Sequence, residues 1–192
     1  STTLRQLGSL KSLRERGTTL IDPFGPQREG VNDREYKTQR DELRKETRRC
    51  DVFLTGTNAL TQDGRLVNVD AVGNRVAGMF WGHPLSVIVV GRNKIVRDLE
   101  EALERIRRVI APNHFQIRAS LGGRKRDTPC VRTGECSDCR SKERGCNIFT
   151  VIEGRPSQTD LHVILVNRDL GLGWDPAWPP ERITQIRSSY QT

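Results

Sequence analysis

Three groups of residues in this chain have the types and spacing to do chemistry. The first is Gly56-Thr57-Asn58, followed by Asn68, Asp70 and Gly73-Asn74-Arg75. Glycines let a backbone approach a ligand closely, and a helix start at Asn74 offers free N–H groups to an anion. Asn58, Asn68, Asn74 and Arg75 would add polar contacts, so Gly56, Thr57 and Gly73 with these four read as ligand-binding candidates. The second group is Arg92-Asn93-Lys94, where Arg92 and Lys94 flank a turn and suit a phosphate or carboxylate. Asp63 and Asp70 are the candidate catalytic carboxylates, although Asp63-Gly64 is also an ordinary turn.

The third group is Cys130, Cys136, Cys139 and Cys146, four thiols within 17 residues. Tetrahedral zinc and a [4Fe-4S] cluster both accept four cysteines, and Cys136-x2-Cys139 lets two thiolates grip one centre. Arg132, Arg140, Lys142 and Arg144 would stabilise the thiolates. The spacing matches neither a zinc ribbon nor the common ferredoxin run, so disulfides and free thiols stay open as alternatives. Cys50, at a helix-to-strand junction, reads as a small buried hydrophobe. His83 reads as a helix cap or surface residue and His162 as a sheet-face or core residue. His114 is a possible substitute ligand or acid–base group. No complete nucleotide-binding fingerprint is present, because Gly171-x-Gly173 is too short.

These residues need elements to position them. Leu4, Leu7, Leu10 and Leu13 after Ser1-Thr2-Thr3 predict a capped helix ending at Gly17. A short strand over Thr18–Asp22 and a loop from Pro23 to Gly30 follow. Asn32-Asp33 then caps a polar helix to about Arg49. Asp51–Thr55 is a strand, Gln62-Asp63-Gly64 a hairpin-type turn, and Leu66–Ala71 a second strand. Gly73-Asn74 opens a helix to about Phe80. Leu85–Val90 has the continuous apolar character of a strand buried on both faces. From Lys94 a periodic helix runs to Pro112, which is expected to stop it. Asn113 to Cys146 has little periodicity, and Ile148–Ile152 and Leu161–Val166 are two more strands. After Asp169, Gly and Pro residues with Trp174 and Trp178 suggest an extended arm suited to packing on a partner subunit or on the domain's own flank. Strands alternating with helices predict an α/β fold with a mostly parallel sheet and flanking helices.

The composition narrows the partners. Of 192 residues, 29% are charged and the net charge is +8, which invites an acidic partner. Nucleic acid is disfavoured, because the ten Phe, Trp and Tyr residues are not interleaved with the basic runs. A small anionic ligand fits better. Apolar runs such as Val87–Val90 are far too short for a membrane span. With no signal peptide in view, a cytoplasmic location is expected. The abrupt opening at Ser1 suggests that residues of the natural protein precede it.

Longer motifs carry a resemblance. Cys50-Asp-Val-Phe-Leu-Thr-Gly-Thr-Asn-Ala-Leu-Thr-Gln-Asp-Gly through Gly73-Asn74-Arg75, then Val87-Ile-Val-Val-Gly-Arg-Asn-Lys, closely resemble the LUD (lactate utilisation) domain family. Thr128-Pro-Cys, Cys136-Ser-Asp-Cys139 and Val163-Ile-Leu-Val-Asn-Arg-Asp-Leu-Gly extend the likeness. The resemblance implies a LUD-type domain over residues 1–170, with the Cys-rich loop at 122–147 inside it; the Trp/Pro-rich arm at 171–192 is not a feature associated with the family. It implies a fold like that of sugar-phosphate isomerases and CoA transferases. It also implies a role beside iron–sulfur and other subunits in oxidising lactate to pyruvate. Methylthioribose-phosphate isomerases of that fold carry a looser echo of the first motif. Where they have a catalytic acid this chain has Asn58, and a neutral amide cannot donate and recover a proton at useful rates. Two further readings remain: a non-catalytic metabolite-binding assembly module, and a sugar-phosphate or CoA-ester enzyme.

Overall fold

The computed structural model describes residues 1–23, 32–120 and 126–172, together with 181 and 184. Trp174, Trp178 and the rest of the expected arm beyond Leu172 lie outside the described residues, as do Gly122-Gly123 and most of the Pro23–Gly30 loop.

Among the described residues, seven strands form two sheets. Strands β1 (Val52–Gly56), β4 (Leu85–Gly91) and β7 (Asp160–Val166) make a fully parallel sheet in the order β1-β4-β7. This is the parallel sheet that the alternation of strands and helices predicts. Strands β2 (Ala59–Thr61), β3 (Leu66–Asp70), β5 (Ile95–Val96) and β6 (Ile148–Ile152) make a second, mixed sheet in the order β5-β2-β3-β6. Its β2–β3 pair is the hairpin foreseen at Asp63-Gly64, and Gly64 takes the φ of 95° that the turn needs.

Two apolar clusters hold the layers together. Ala102, Ile106 and Ile110 pack on Ala59, Val67 and Val96 of the second sheet. Met79 of α4 (Asn74–Phe80) joins Leu60, Leu66, Ile88 and Val90, so α4 ties the two sheets to one another. Gly78 makes this possible: a Cβ there would lie 2.8 Å from the Phe53 ring.

Several expectations are corrected. The first helix is two, α1 (Thr2–Gln6) and α2 (Ser9–Glu15), broken where Gly8 adopts a φ of 69°. Residues Thr18–Asp22 form no strand. Helix α3 (Asp33–Glu46) does begin at Asn32, in a capping box closed by Glu35, and a 3-10 turn extends it to Arg49. The periodic helix starts at Leu99 rather than Lys94, capped by Asp98. It does not stop at Pro112. Helix α5 (Leu99–Arg105) passes through a π-helical segment, Ile106–Ile110, into α6 (Ala111–Ser120). The π segment shifts the hydrogen-bond register, so Pro112 falls in the first turn of α6, where proline is tolerated. Two parts of the segment expected to be irregular are helical, residues 113–120 in α6 and α7 (Pro129–Thr133).

Candidate functional site

The carboxyl ends of β1 and β4 lie side by side, and the chain after β7 crosses over them. Gly91 closes β4, and a side chain there would meet the Leu170 amide at 2.7 Å and the Arg168 carbonyl at 2.8 Å. The crossing is fixed by hydrogen bonds. The Arg92 N–H donates to the Arg168 carbonyl at 3.0 Å, and the Leu170 N–H donates to Asn93 Oδ1 at 2.9 Å. From the other side α1 lays Thr3 over Gly56, whose missing Cβ would sit 3.1 Å from Thr3 Oγ1.

Lys94 points into this junction and is only 4% exposed. Its Nζ donates to Thr3 Oγ1 at 2.8 Å. Gly171, at a φ of +73°, closes over the same atoms, and a side chain there would come within 3.0 Å of Nζ. The Gly171 N–H donates to Gln6 Oε1 at 2.6 Å. Thus α1 and the segment after β7 form a clasp around one ammonium.

The charges around Lys94 are unusual. Burial, and then the guanidiniums of Arg105 and Arg75, push its pKa down to about 7. Arg105 reaches in from α5, donating to the carbonyls of Asn58 (3.2 Å) and Leu172 (3.0 Å). Burial lowers its pKa to about 10 against the pull of Glu101. No carboxylate among the described residues pairs with Lys94. A desolvated ammonium with no anion of its own is costly, since burying a charge is tolerated only when it is compensated.

The polar residues foreseen around Gly56–Arg75 do converge, but chiefly on one another. Arg75 donates to Asn68 Oδ1 (2.7 Å), Asn58 Oδ1 (3.0 Å) and the Val69 carbonyl (2.6 Å). The Asn58 N–H donates to Asn68 Oδ1 and the Val69 N–H to Asn58 Oδ1, which locks the β1–β2 corner onto β3. Thr57 is buried and donates to the Ala59 carbonyl. Asn68 is fully buried, yet its Nδ2 has no partner, nor has the Thr150 hydroxyl at the paired position on β6. One water bridging the two would satisfy both.

Asp70 accepts the N–H groups of Val72 and Gly73 at 3.0 Å each and lies 3.6 Å from Arg75 Nε. Burial pushes its pKa up, but those hydrogen bonds and Arg75 outweigh it and hold the carboxyl below its ordinary value. Asp70 is thus an ionised brace at the start of α4. Asp63 stays in the β2–β3 turn, accepting from Thr61 and paired with Arg65. Gly73 caps α4 at a φ of 96°, and Asn74 is exposed. Arg92 faces outward and pairs with Asp169 at 3.0 Å. Of the foreseen ligand residues, Gly56, Asn58, Asn68, Arg75 and Lys94 therefore share the junction, whereas Asn74 and Arg92 stand apart.

Thr3, Arg105 and Gly171 complete the junction without having been singled out from sequence. Thr3 looked like helix-capping residue, and Gly171 like arm. Arg105 did carry a signal: it lies three residues after Ala102 and next to Ile106, along a stripe otherwise apolar.

The histidines and cysteines are placed elsewhere. His83 is buried rather than at the surface, stacked on Phe53 with its Nδ1 2.9 Å from the Cys50 carbonyl. His162 is exposed on β7, and His114 packs edge-on against Phe115. All five cysteines are free thiols. Among the described residues no three His, Cys, Asp or Glu side chains are grouped to hold a metal ion.

Parallel strand ends closed over a buried lysine that has no acidic partner among the described residues define the class: an α/β protein with its candidate site where ligands of open α/β sheets collect. The chain belongs to the LUD domain family, whose family model matches residues 1–166. It is similar in structure to a DUF162 family protein from Deinococcus radiodurans, with 16% identity and a TM-score of 0.36 over 86% of this chain and 85% of that one. No curated protein matches the chain. No helix among the described residues is long and apolar enough to cross a membrane.

Proposed function

We propose that this chain binds a small carboxylate at Lys94 and acts as a cytoplasmic subunit or accessory of lactate oxidation to pyruvate. Lactate utilisation is the role associated with the LUD family, and lactate and pyruvate are both small carboxylates. The observation that carries the reading is Lys94 itself: a buried ammonium with a hydroxyl for a partner and two guanidiniums for neighbours. An incoming carboxylate would supply the missing negative charge, and its oxygens would meet the Lys94 ammonium and the Thr3 hydroxyl together. Charge-assisted hydrogen bonds of this kind are the strong ones.

Binding rather than turnover is favoured by what the acids do. Asp70 is committed to α4 and Arg75, and Asp63 to its turn, so neither stands free as a proton carrier beside Lys94. Asn58 is a neutral crosslink. Electron transfer then falls to a partner protein. A fold like that of sugar-phosphate isomerases and CoA transferases agrees with a site at parallel strand ends. A phosphorylated metabolite is the second ligand class, favoured by the number of cations.

The test is ligand-dependent thermal stability at pH 7 with lactate, pyruvate and inorganic phosphate, each against chloride at equal ionic strength. A ligand at a hundred times its Kd adds about 2.7 kcal/mol of stability. The expected outcome is a rise in Tm with lactate or pyruvate that disappears in Lys94→Met. A rise with phosphate alone would move the site to phosphorylated ligands, and no response to any of the three would remove the anion reading.

A further inference from the structure

Residues 126–147 form a lobe with almost no core of its own. Its buried residues are Thr128, Cys130 and Gly145, and its regular structure is the five-residue α7. A segment of this length without strands ordinarily needs another organiser. Several of its fixed points lie at the cysteines. Cys130 sits in the first turn of α7, with its Sγ 3.2 Å from the Thr128 hydroxyl. Arg144 donates to the Cys146 carbonyl at 2.8 Å and to the Cys139 carbonyl, and pairs with Asp138 at 2.9 Å. One guanidinium thus ties the backbone of the Cys136–Cys139 turn to that of Cys146. Gly145 lies against the Phe115 ring, which Arg126 covers at 4.7 Å, and so the lobe is seated on α6.

Cys146 is half-buried and within electrostatic reach of Cys130, Cys136 and Cys139. All four are free thiols on one 22-residue lobe, and no three of them are gathered around a point. Cys136 is exposed and Cys139 half-buried, on the turn that a shared ion would draw toward Cys130 and Cys146.

We propose that Cys130, Cys136, Cys139 and Cys146 ligate a single zinc ion, which closes this lobe and holds it on α6 and β6. Four thiolates from one loop satisfy tetrahedral zinc, whose filled d shell imposes no other geometry. Deprotonation of the thiols accompanies binding, so each zinc taken up releases protons to solvent. Zinc is preferred to an iron–sulfur cluster because the Cys136 end of the lobe is open to water, where an inert ion persists and a cluster is exposed to oxidation.

The test uses the whole chain, purified anaerobically without chelator. The expected result is colourless protein with one zinc per chain, released in full when a mercurial titrates the thiols. Cobalt(II) in its place should give the intense visible bands of a tetrahedral thiolate site. Cys139→Ser should lose the metal and lower Tm while keeping the carboxylate response of Lys94, which separates this proposal from the previous one. If Cys139→Ser fails to fold, the exposed Cys136→Ser carries the same comparison. Metal-free protein with four freely reactive thiols, or brown protein containing iron, would overturn the assignment.

Discussion

At the scale of the residue, Lys94 is where stability and the proposed binding pull in opposite directions. A buried lysine held near a pKa of about 7 by desolvation, Arg105 and Arg75 weakens the fold whenever it must carry its charge. Lys94→Met keeps the length of the side chain and removes the charge. The variant should therefore melt higher than the parent at pH 6, by about 2–4 °C for each kcal/mol recovered in a chain of this size. Differential scanning calorimetry at pH 6 measures this, and a lower Tm would mean that the Thr3 contact outweighs the buried charge. The pH dependence has a definite sign. The folded pKa lies below the unfolded value of 10.5, so the unfolded chain binds more protons between about 7 and 10.5. Across that window the Lys94 contribution to stability rises with pH. Asp70 acts at the other end: its pKa is depressed below 3.8, so its contribution is present above that value and is lost as the pH falls through the folded pKa. Urea titrations of the parent and of Lys94→Met across pH 6–10 should differ in slope, with the variant the flatter.

At the scale of the element, two substitutions test how the frame is held. Asn32 accepts N–H groups of Arg34 and Glu35 at 3.1 and 3.0 Å, on an exposed helix with little else to fix its start. Asn32→Ala should cost about 1 kcal/mol, read from chemical denaturation. Gly78 poses a contest. Alanine is favoured over glycine in a helix by roughly 1 kcal/mol. Here, however, the added methyl meets the Phe53 ring at 2.8 Å, and overpacking costs about 1–3 kcal/mol. Gly78→Ala should come out destabilising, and a higher Tm would show that Phe53 can rotate away. The elements differ in how readable they are. Strands β1, β3, β4, β6 and β7 were legible from apolar runs, and α3 and α4 from Asn32 and Gly73. The continuation through Pro112 was not, because a π segment leaves no period in the residues that form it. The site divides in the same way. Lys94 and Arg75 stood out as cations at turns next to strand ends. Thr3, Arg105 and Gly171 did not, because their part depends on contacts between segments far apart in the chain.

At the scale of the whole molecule, the parallel sheet is covered unevenly. Strand β7 lies at its edge, and Val163, Ile164 and Leu165 are all substantially exposed, Leu165 to 60%. Alternate residues of a strand face opposite sides, so both faces of β7 show apolar surface. An open apolar edge is a template for unwanted pairing, which charged residues ordinarily discourage. Leu165→Lys should lower light scattering of concentrated protein without changing the carboxylate response proposed for Lys94. Unchanged scattering would show that β7 does not drive association.

The clasp over Lys94 has a consequence for how the protein is made. Gln6 and Gly171 meet across 165 residues of sequence. Thr3 and Lys94 are synthesised before the glycine that closes over them, which lies just beyond the matched residues 1–166. A nascent chain can therefore build β1 and β4 and still lack the closed site. A chain truncated before Gly171 would carry Lys94 without that closure, and under the proposed function it should give no thermal response to lactate or pyruvate.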